Sequence, residues 1–245
     1  MKQVVVIPAR YASSRLPGKP LVDLCGVPMI VRTCRQCAEV VDLSDLIVAT
    51  DDERIGDTCR AEGFRTILTS EDCLTGTDRV AEVARSVDAD VYINVQGDEP
   101  LFDSRDLAAL MEFSRNHPDE IINGYCEIDD EELFRSSSIP KVVTRTDGRL
   151  LYMSRASIPT SKAHAFSRAW RQVCAYAFPR RALEEFSLQA RKTTLEEIED
   201  IEILRFLELG WEVRMLEMSA NSIAVDNPED VARVEAEITR LQRST

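Results

Sequence analysis

Four short apolar runs, at residues 4–8, 46–50, 65–68 and 91–95, alternate along the first half of the chain with amphipathic, helix-length stretches at 29–40, 52–62, 76–85 and 103–116. Continuous apolar runs of strand length are buried on both faces. Strands that each hand over to a helix predict βαβ units, with a mostly parallel sheet covered on both sides. The first crossover is long, because residues 9–28 precede the first helix. From about residue 121 the rhythm changes: 121–128, 140–146, 150–154 and 172–178 read as strands with few helices between, so part of the sheet turns antiparallel. Helices are expected at 179–189, 194–209 and 227–241, and a further strand at 211–218. Asp226-Asn227-Pro228-Glu229-Asp230 has the make-up of a helix start, with Asn227 as cap, Pro228 at the first position and acids at the positive end. The expected fold class is therefore α/β. One domain spans 1–245, with a mostly parallel central sheet flanked by helices and a smaller antiparallel extension.

Charge narrows the choice of partner. The chain has 43 acidic against 30 basic residues, a net charge of −13, which argues against a nucleic acid partner because phosphate backbones demand surplus lysine and arginine. Residues 1–22 break the pattern. They hold Lys2, Arg10, Arg15 and Lys19 and no acid, which suits the handling of a small anion. No apolar run approaches the ~20 residues of a membrane helix, and Pro8 and Arg10 interrupt the first one, so a cytoplasmic protein with no membrane partner is expected. Seven cysteines are scattered. Cys34 and Cys37 form a CxxC inside an expected helix, with no second pair or spaced histidines to complete a zinc set. Free, buried or half-buried thiols are expected.

Three segments carry chemistry. Pro8-Ala9-Arg10-Tyr11-Ala12-Ser13-Ser14-Arg15-Leu16-Pro17-Gly18-Lys19-Pro20 follows the first strand, and ligands of open α/β sheets gather at the carboxyl ends of strands. Its small residues leave backbone N–H groups open to phosphate oxygens, and Arg10, Arg15 and Lys19 can surround several phosphates. Gln96-Gly97-Asp98-Glu99-Pro100 ends the fourth strand. A carboxylate there can hold Mg²⁺, which binds through one or two carboxylates plus substrate phosphates, while the Gln96 amide can meet a base or ribose. A plain turn is the competing reading of this segment. Asp226, after Ala224-Val225, is either a second metal ligand or a helix cap.

With these segments laid out, the chain resembles the 3-deoxy-manno-octulosonate (Kdo) cytidylyltransferases nearly end to end. The resemblance rests on residues 7–21 (IPARYASSRLPGKPL), 26–30 (GVPMI), 48–51 (VATD), 75–83 (TGTDRVAEV), 93–100 (INVQGDEP), 151–159 (LYMSRASIP), 202–205 and 225–230 (VDNPED). It implies a Rossmann-like nucleotidyltransferase domain that joins CMP from CTP to a 3-deoxy-2-ulosonic acid and releases pyrophosphate. Arg10, Arg15 and Lys19 would grip the triphosphate. Ala9, Gly76, Thr77, Arg79 and Gln96 would line the cytosine and ribose site, and Asp98 and Asp226 would ligate Mg²⁺. Arg155, Gln172 and Tyr176 would face the acceptor, with Glu202 near it. Plain structural roles compete at three positions: Thr77 as a helix cap, Tyr176 as core, Glu202 as one of many acids in the run 196–202. The resemblance also implies a homodimer built on the strands around 150–178, and an acceptor-binding and dimerisation lobe at about 121–190.

The chain departs from the family pattern on the acceptor side. Gln172-Val173-Cys174-Ala175-Tyr176 stands where members carry a His-Leu-Gly-Ile-Tyr type of segment, and Ile203 replaces a glutamine. Loss of such hydrogen-bonding groups can change selectivity by on the order of 10⁴-fold. Two alternatives therefore stay open: another small acid as acceptor, such as the phosphonate phosphonoformate, and a non-catalytic nucleotide-binding module.

Overall fold

The computed structural model describes residues 1–13, 15–225 and 227–243. Its strands in chain order are β1 (Gln3–Ala9), β2 (Asp23–Leu24), β3 (Val27–Pro28), β4 (Leu46–Thr50), β5 (Arg65–Leu68), β6 (Val91–Val95), β7 (Ile121–Ile128), β8 (Lys141–Thr144), β9 (Leu150–Ser154), β10 (Ala169–Pro179) and β11 (Val213–Glu217). The helices are α1 (Met29–Ala38), α2 (Glu53–Ala61), α3 (Gly76–Ser86), α4 (Ser104–Asn116), α5 (Glu131–Arg135), α6 (Arg180–Ser187), α7 (Thr194–Glu199), α8 (Ile203–Glu208) and α9 (Pro228–Gln242).

The main sheet runs β11-β7-β10-β6-β1-β4-β5, with β8 joined to β10 and β9 to β8. β1, β4, β5 and β6 are mutually parallel, as the alternation of strand and helix predicts. β10 lies antiparallel between β6 and β7, and the β8–β9 ribbon continues the antiparallel part. β1, β4 and β6 are buried along their whole length. Each face of the sheet carries its own core. One includes Val4, Val6, Tyr92 and Phe178; the other includes Val5, Ile7, Ile93 and Val95, against the buried side of α1. A third, small cluster joins Leu24, Met29, Val225, Val234 and Ile238, so α9 packs over the hairpin of β2 and β3.

Caps fix where the helices begin. Asp52, Asp103 and Asp130 accept from main-chain N–H groups of α2, α4 and α5, and Asn227 and Asp230 form a capping box at α9. At α3 the capping box is Thr75 with Asp78. Thr77 therefore lies inside the first turn and is not the cap.

The single helix expected over 194–209 is two. α7 stops at Glu199, and Asp200 takes the left-handed conformation, φ 51°. The apolar periodicity runs on, but the Arg155 guanidinium donates to the main-chain carbonyls of Glu199 and Asp200, at 2.6 and 2.9 Å. It takes up acceptors that a continuous helix would pair internally. Among the described residues no helix is long and apolar enough to cross a membrane. All seven cysteines are free; Cys25 is exposed, against the expectation of buried or half-buried thiols.

Candidate active site

The carboxyl ends of β1 and β6 open into a cavity of about 730 Å³. Of the residues singled out in the sequence, Ala9, Arg10, Arg15, Lys19, Gly76, Arg79, Gln96, Asp98, Arg155, Gln172, Tyr176 and Glu202 all line it. Thr77 does not, and Asp226 lies outside the described residues. The main chain leading to it is fixed, however: the N–H of buried Val225 donates to the Asp98 carbonyl at 3.0 Å.

The basic loop leaves β1 and returns through a short 3₁₀ turn, Lys19–Leu21. Arg10 and Arg15 are exposed at the cavity rim. Lys19 reaches inward, where its Nζ donates to Asp98 Oδ2 at 2.6 Å. Asp98 stands at the mouth because Gly97 lets β6 close on β1: its N–H donates to the Pro8 carbonyl at 3.3 Å. A Cβ at position 97 would lie 2.8 Å from that oxygen, so only glycine permits the approach. The close backbone contact that Gly97 permits is thus with the chain's own first strand. Glu99, next to Asp98, is buried and accepts from Ser222.

The nucleoside end is built from α3, β6 and the start of α8. Gln96 Nε2 donates to Glu202 Oε1 at 3.0 Å, and the Thr77 N–H donates to Glu202 Oε2 at 3.0 Å. Glu202 is thus more than one acid of the run 196–202, and burial pushes its carboxyl above the usual range. The Gln96 amide lies over Gly76, where a Cβ would sit 2.7 Å from Nε2 and 2.9 Å from Oε1. Arg79 is nearly fully buried and donates to Asp51 Oδ2 at 2.5 Å and to Thr69 Oγ1 at 2.7 Å. The other Asp51 oxygen accepts from the Tyr11 N–H at 3.2 Å. Asp51 thereby ties α3 to the basic loop. Sequence pattern alone gives Asp51 no role, although it follows the carboxyl end of β4, where the strand-end rule that points to Asp98 also applies.

The far end is formed by β8, β9, β10 and the break between α7 and α8. Gln172 Nε2 donates to Tyr176 Oη at 3.1 Å and to Asn123 Oδ1 at 3.0 Å. Asn123 Nδ2 in turn serves the carbonyls of Val173 and Ala175, both at 3.0 Å, where the register of β10 against β7 shifts. The bulge turns this part of β10 toward the cavity, and Cys174 lines it as well. Tyr176 belongs to the core and to the cavity lining at once. A lone asparagine within the apolar run 121–128 was the available signal for this device. Lys192 and Asp200, also unforeseen, join across the rim at 2.6 Å, and that bond holds the Asp200 carboxyl below its usual range.

A cationic loop, the half-buried Asp98 carboxylate and the half-buried Gln96 amide facing one cavity suit a nucleoside triphosphate with a second anion beside it. Comparison with known proteins agrees. Residues 4–217 match the family model described as cytidylyltransferase. The 3-deoxy-manno-octulosonate cytidylyltransferase of Escherichia coli is 38% identical over 235 residues, which cover 96% of this chain and 95% of that protein. The one from Chloroherpeton thalassium is 40% identical over 240 residues, with 96% and 97% covered. A solved structure of CMP:2-keto-3-deoxy-manno-octonic acid synthetase complexed with CTP superposes with a TM-score of 0.90 at 37% identity, covering 98% of this chain and 99% of that one. The chain belongs to the 3-deoxy-manno-octulosonate cytidylyltransferase family.

Proposed function

We propose that this protein transfers the cytidylyl group of CTP to a 3-deoxy-2-ulosonic acid, Kdo or a close analogue, and releases pyrophosphate. The single observation that carries the reading is the shared cavity, in which Arg10, Arg15 and Lys19 meet Asp98, Gln96 and Gly76. In the reaction, an acceptor hydroxyl oxygen attacks the α-phosphorus in line. The bond from that phosphorus to the α,β-bridging oxygen breaks, pyrophosphate departs and the hydroxyl proton passes to water. Such chemistry depends on positioning and on charge neutralisation. Arg10, Arg15 and Lys19 offset the repulsion between triphosphate and acid. Gln96, fixed by Glu202 and lying over Gly76, meets the nucleoside, and Arg79, braced by Asp51, sets the wall behind it. Gln172 and Tyr176 line the acceptor end.

The donor chemistry fits Mg²⁺. Asp98 offers a hard oxygen ligand at the cavity mouth, and among the described residues no group of three or more His, Cys, Asp or Glu side chains forms a complete cage. That suits an ion completed by substrate phosphates. Asp98, with Asp226, would hold it. When bound, Mg²⁺ supplies phosphate charge neutralisation and acidifies the attacking hydroxyl. Neither histidine lines the cavity, in keeping with a reaction that needs no histidine base.

The same reading takes 1–245 as one domain, with about 121–190 as its acceptor-binding and dimerisation lobe, in a cytoplasmic homodimer. Leu151, 55% exposed on β9, supports an interface there. The test is pyrophosphate release from CTP against a panel of ulosonic acids and small phosphonates, phosphonoformate included. Turnover with the acid sugars is expected. Turnover with the phosphonates alone would reassign the acceptor, and CTP binding without release from any member would leave a binding module.

A further inference from the structure

Residues 136–140 join α5 to β8 without forming helix or strand, yet the carbonyl of every one of them has a donor. Lys141 Nζ donates to Ser136 O at 2.7 Å and to Ile139 O at 2.6 Å. Arg155 Nη1 donates to Ser137 O at 3.0 Å and Ser138 O at 3.3 Å. The Gln172 N–H donates to Pro140 O at 3.1 Å. Lys141 Nζ also donates to the carbonyl of Arg155, at 2.6 Å, so the two cations brace each other's segment. Ser137, Ser138, Pro140, Arg155 and Gln172 all line the acceptor end of the cavity.

Lys141 does not line it. Its side chain is fully buried at the start of β8, where a lysine is rare unless it is held by partners. An ammonium has three N–H groups, and here each has its own main-chain carbonyl. We propose that Lys141 is a positioning residue for acceptor binding: its three-way grip shapes the wall that Ser137, Ser138, Pro140 and Arg155 present to the acid. The inference rests on the assignment of this end of the cavity to the acceptor.

Arg155 and Glu199 are the charged groups that face Lys141. Burial, then the Arg155 charge, lower the ammonium's pKa from the usual lysine value to about 8, with Glu199 opposing. Glu199 itself is held by the Ser154 hydroxyl and the Arg155 N–H, at 2.6 and 2.9 Å. Below pH 8 the group is charged and serves three carbonyls. Above it, a neutral amine has two N–H groups for the same three acceptors, and one buried carbonyl loses its donor. The acceptor wall loosens, while the CTP end does not depend on this grip.

The experiment measures KM for Kdo and for CTP, at saturating Mg²⁺, from pH 7 to 9.5 in wild type, Lys141→Arg and Lys141→Met. In wild type, KM for Kdo is expected to rise on the order of tenfold with a midpoint near pH 8, and KM for CTP to stay flat. Lys141→Arg keeps its charge and removes the midpoint. Lys141→Met has a raised, pH-independent KM for Kdo with KM for CTP near wild type. A flat wild-type profile, or an unchanged midpoint in Lys141→Arg, would overturn the inference, and both readings stand even where Lys141→Met does not fold. Absence of turnover with any ulosonic acid would instead defeat the proposed function; turnover with a flat profile defeats only the role of Lys141.

Discussion

Lys19 and Asp98 are joined at 2.6 Å across the mouth of the cavity, although 79 residues separate them in the chain. One belongs to the loop after β1 and the other to the end of β6, and the parallel pairing of those strands brings them together. Under the proposed function, the pair would set a cation for phosphate beside a carboxylate for metal, the arrangement that nucleotidyl transfer needs.

Removing the Asp98 charge tests that arrangement. Asp98→Asn is nearly isosteric and leaves the packing of Gly97 on β1 intact, so the thermal midpoint is expected within a few degrees of wild type. Turnover should fall by on the order of 10³-fold with every acceptor. An unchanged rate would remove Asp98 from the mechanism.

Gly76→Ala places a methyl 2.7 Å from the Gln96 amide nitrogen and 3.2 Å from Pro8 Cγ. The capping box of Thr75 and Asp78 is untouched, so α3 still forms and Gln96 is the group that gives way. KM for CTP is expected to rise roughly tenfold, with a smaller change for the acceptor. Steady-state kinetics with each substrate varied in turn distinguishes the two.

Glu202→Gln separates stability from activity. Burial raises this carboxyl in the folded state. The native protein therefore binds more protons than the unfolded chain as pH rises from the unfolded value through the folded one, and stability falls across that window. At neutral pH, above the unfolded value, keeping this carboxyl buried is a net burden on the fold, so the neutral glutamine should raise the thermal midpoint at pH 7 and flatten its decline with rising pH. The new amide also forces Gln96 to turn, and kcat/KM for CTP should drop about tenfold. Melting curves at several pH values, paired with kinetics, check both halves.

Arg205 is fully buried and forks onto Glu196 with two bonds of 2.6 Å, while also reaching Asp78 at 2.9 Å. It holds α8, and with it Glu202, against α7 and α3. Arg205→Met leaves Glu196 as a buried carboxylate without its cation, at an expected loss of about 3–5 kcal/mol. The double variant with Glu196→Gln should recover a large part of that loss. Denaturant unfolding of the three proteins gives the comparison.

The parallel half of the sheet was legible because β1, β4 and β6 are predominantly apolar and each leads on to an amphipathic helix. The basic loop and Asp98 followed from the rule that ligands gather at strand ends. The missed features all depend on pairings across the fold that periodicity does not record. The break between α7 and α8 comes from Arg155, about 45 residues earlier in the chain. The buried role of Glu202 comes from Gln96 and Thr77. The bulge in β10 is stabilised by Asn123, and the shape of 136–140 by Lys141, whose charge gave no hint of burial. Local pattern reads elements well; it does not see which side chain will serve another segment's main chain.

The most direct test combines the purified protein with CTP and Kdo and follows pyrophosphate release and the sugar nucleotide formed, with Mg²⁺ and then with excess chelator. Stoichiometric pyrophosphate and CMP-Kdo that require Mg²⁺ are the predicted result. Release that persists in chelator, or no product from Kdo while CTP still binds, would contradict it.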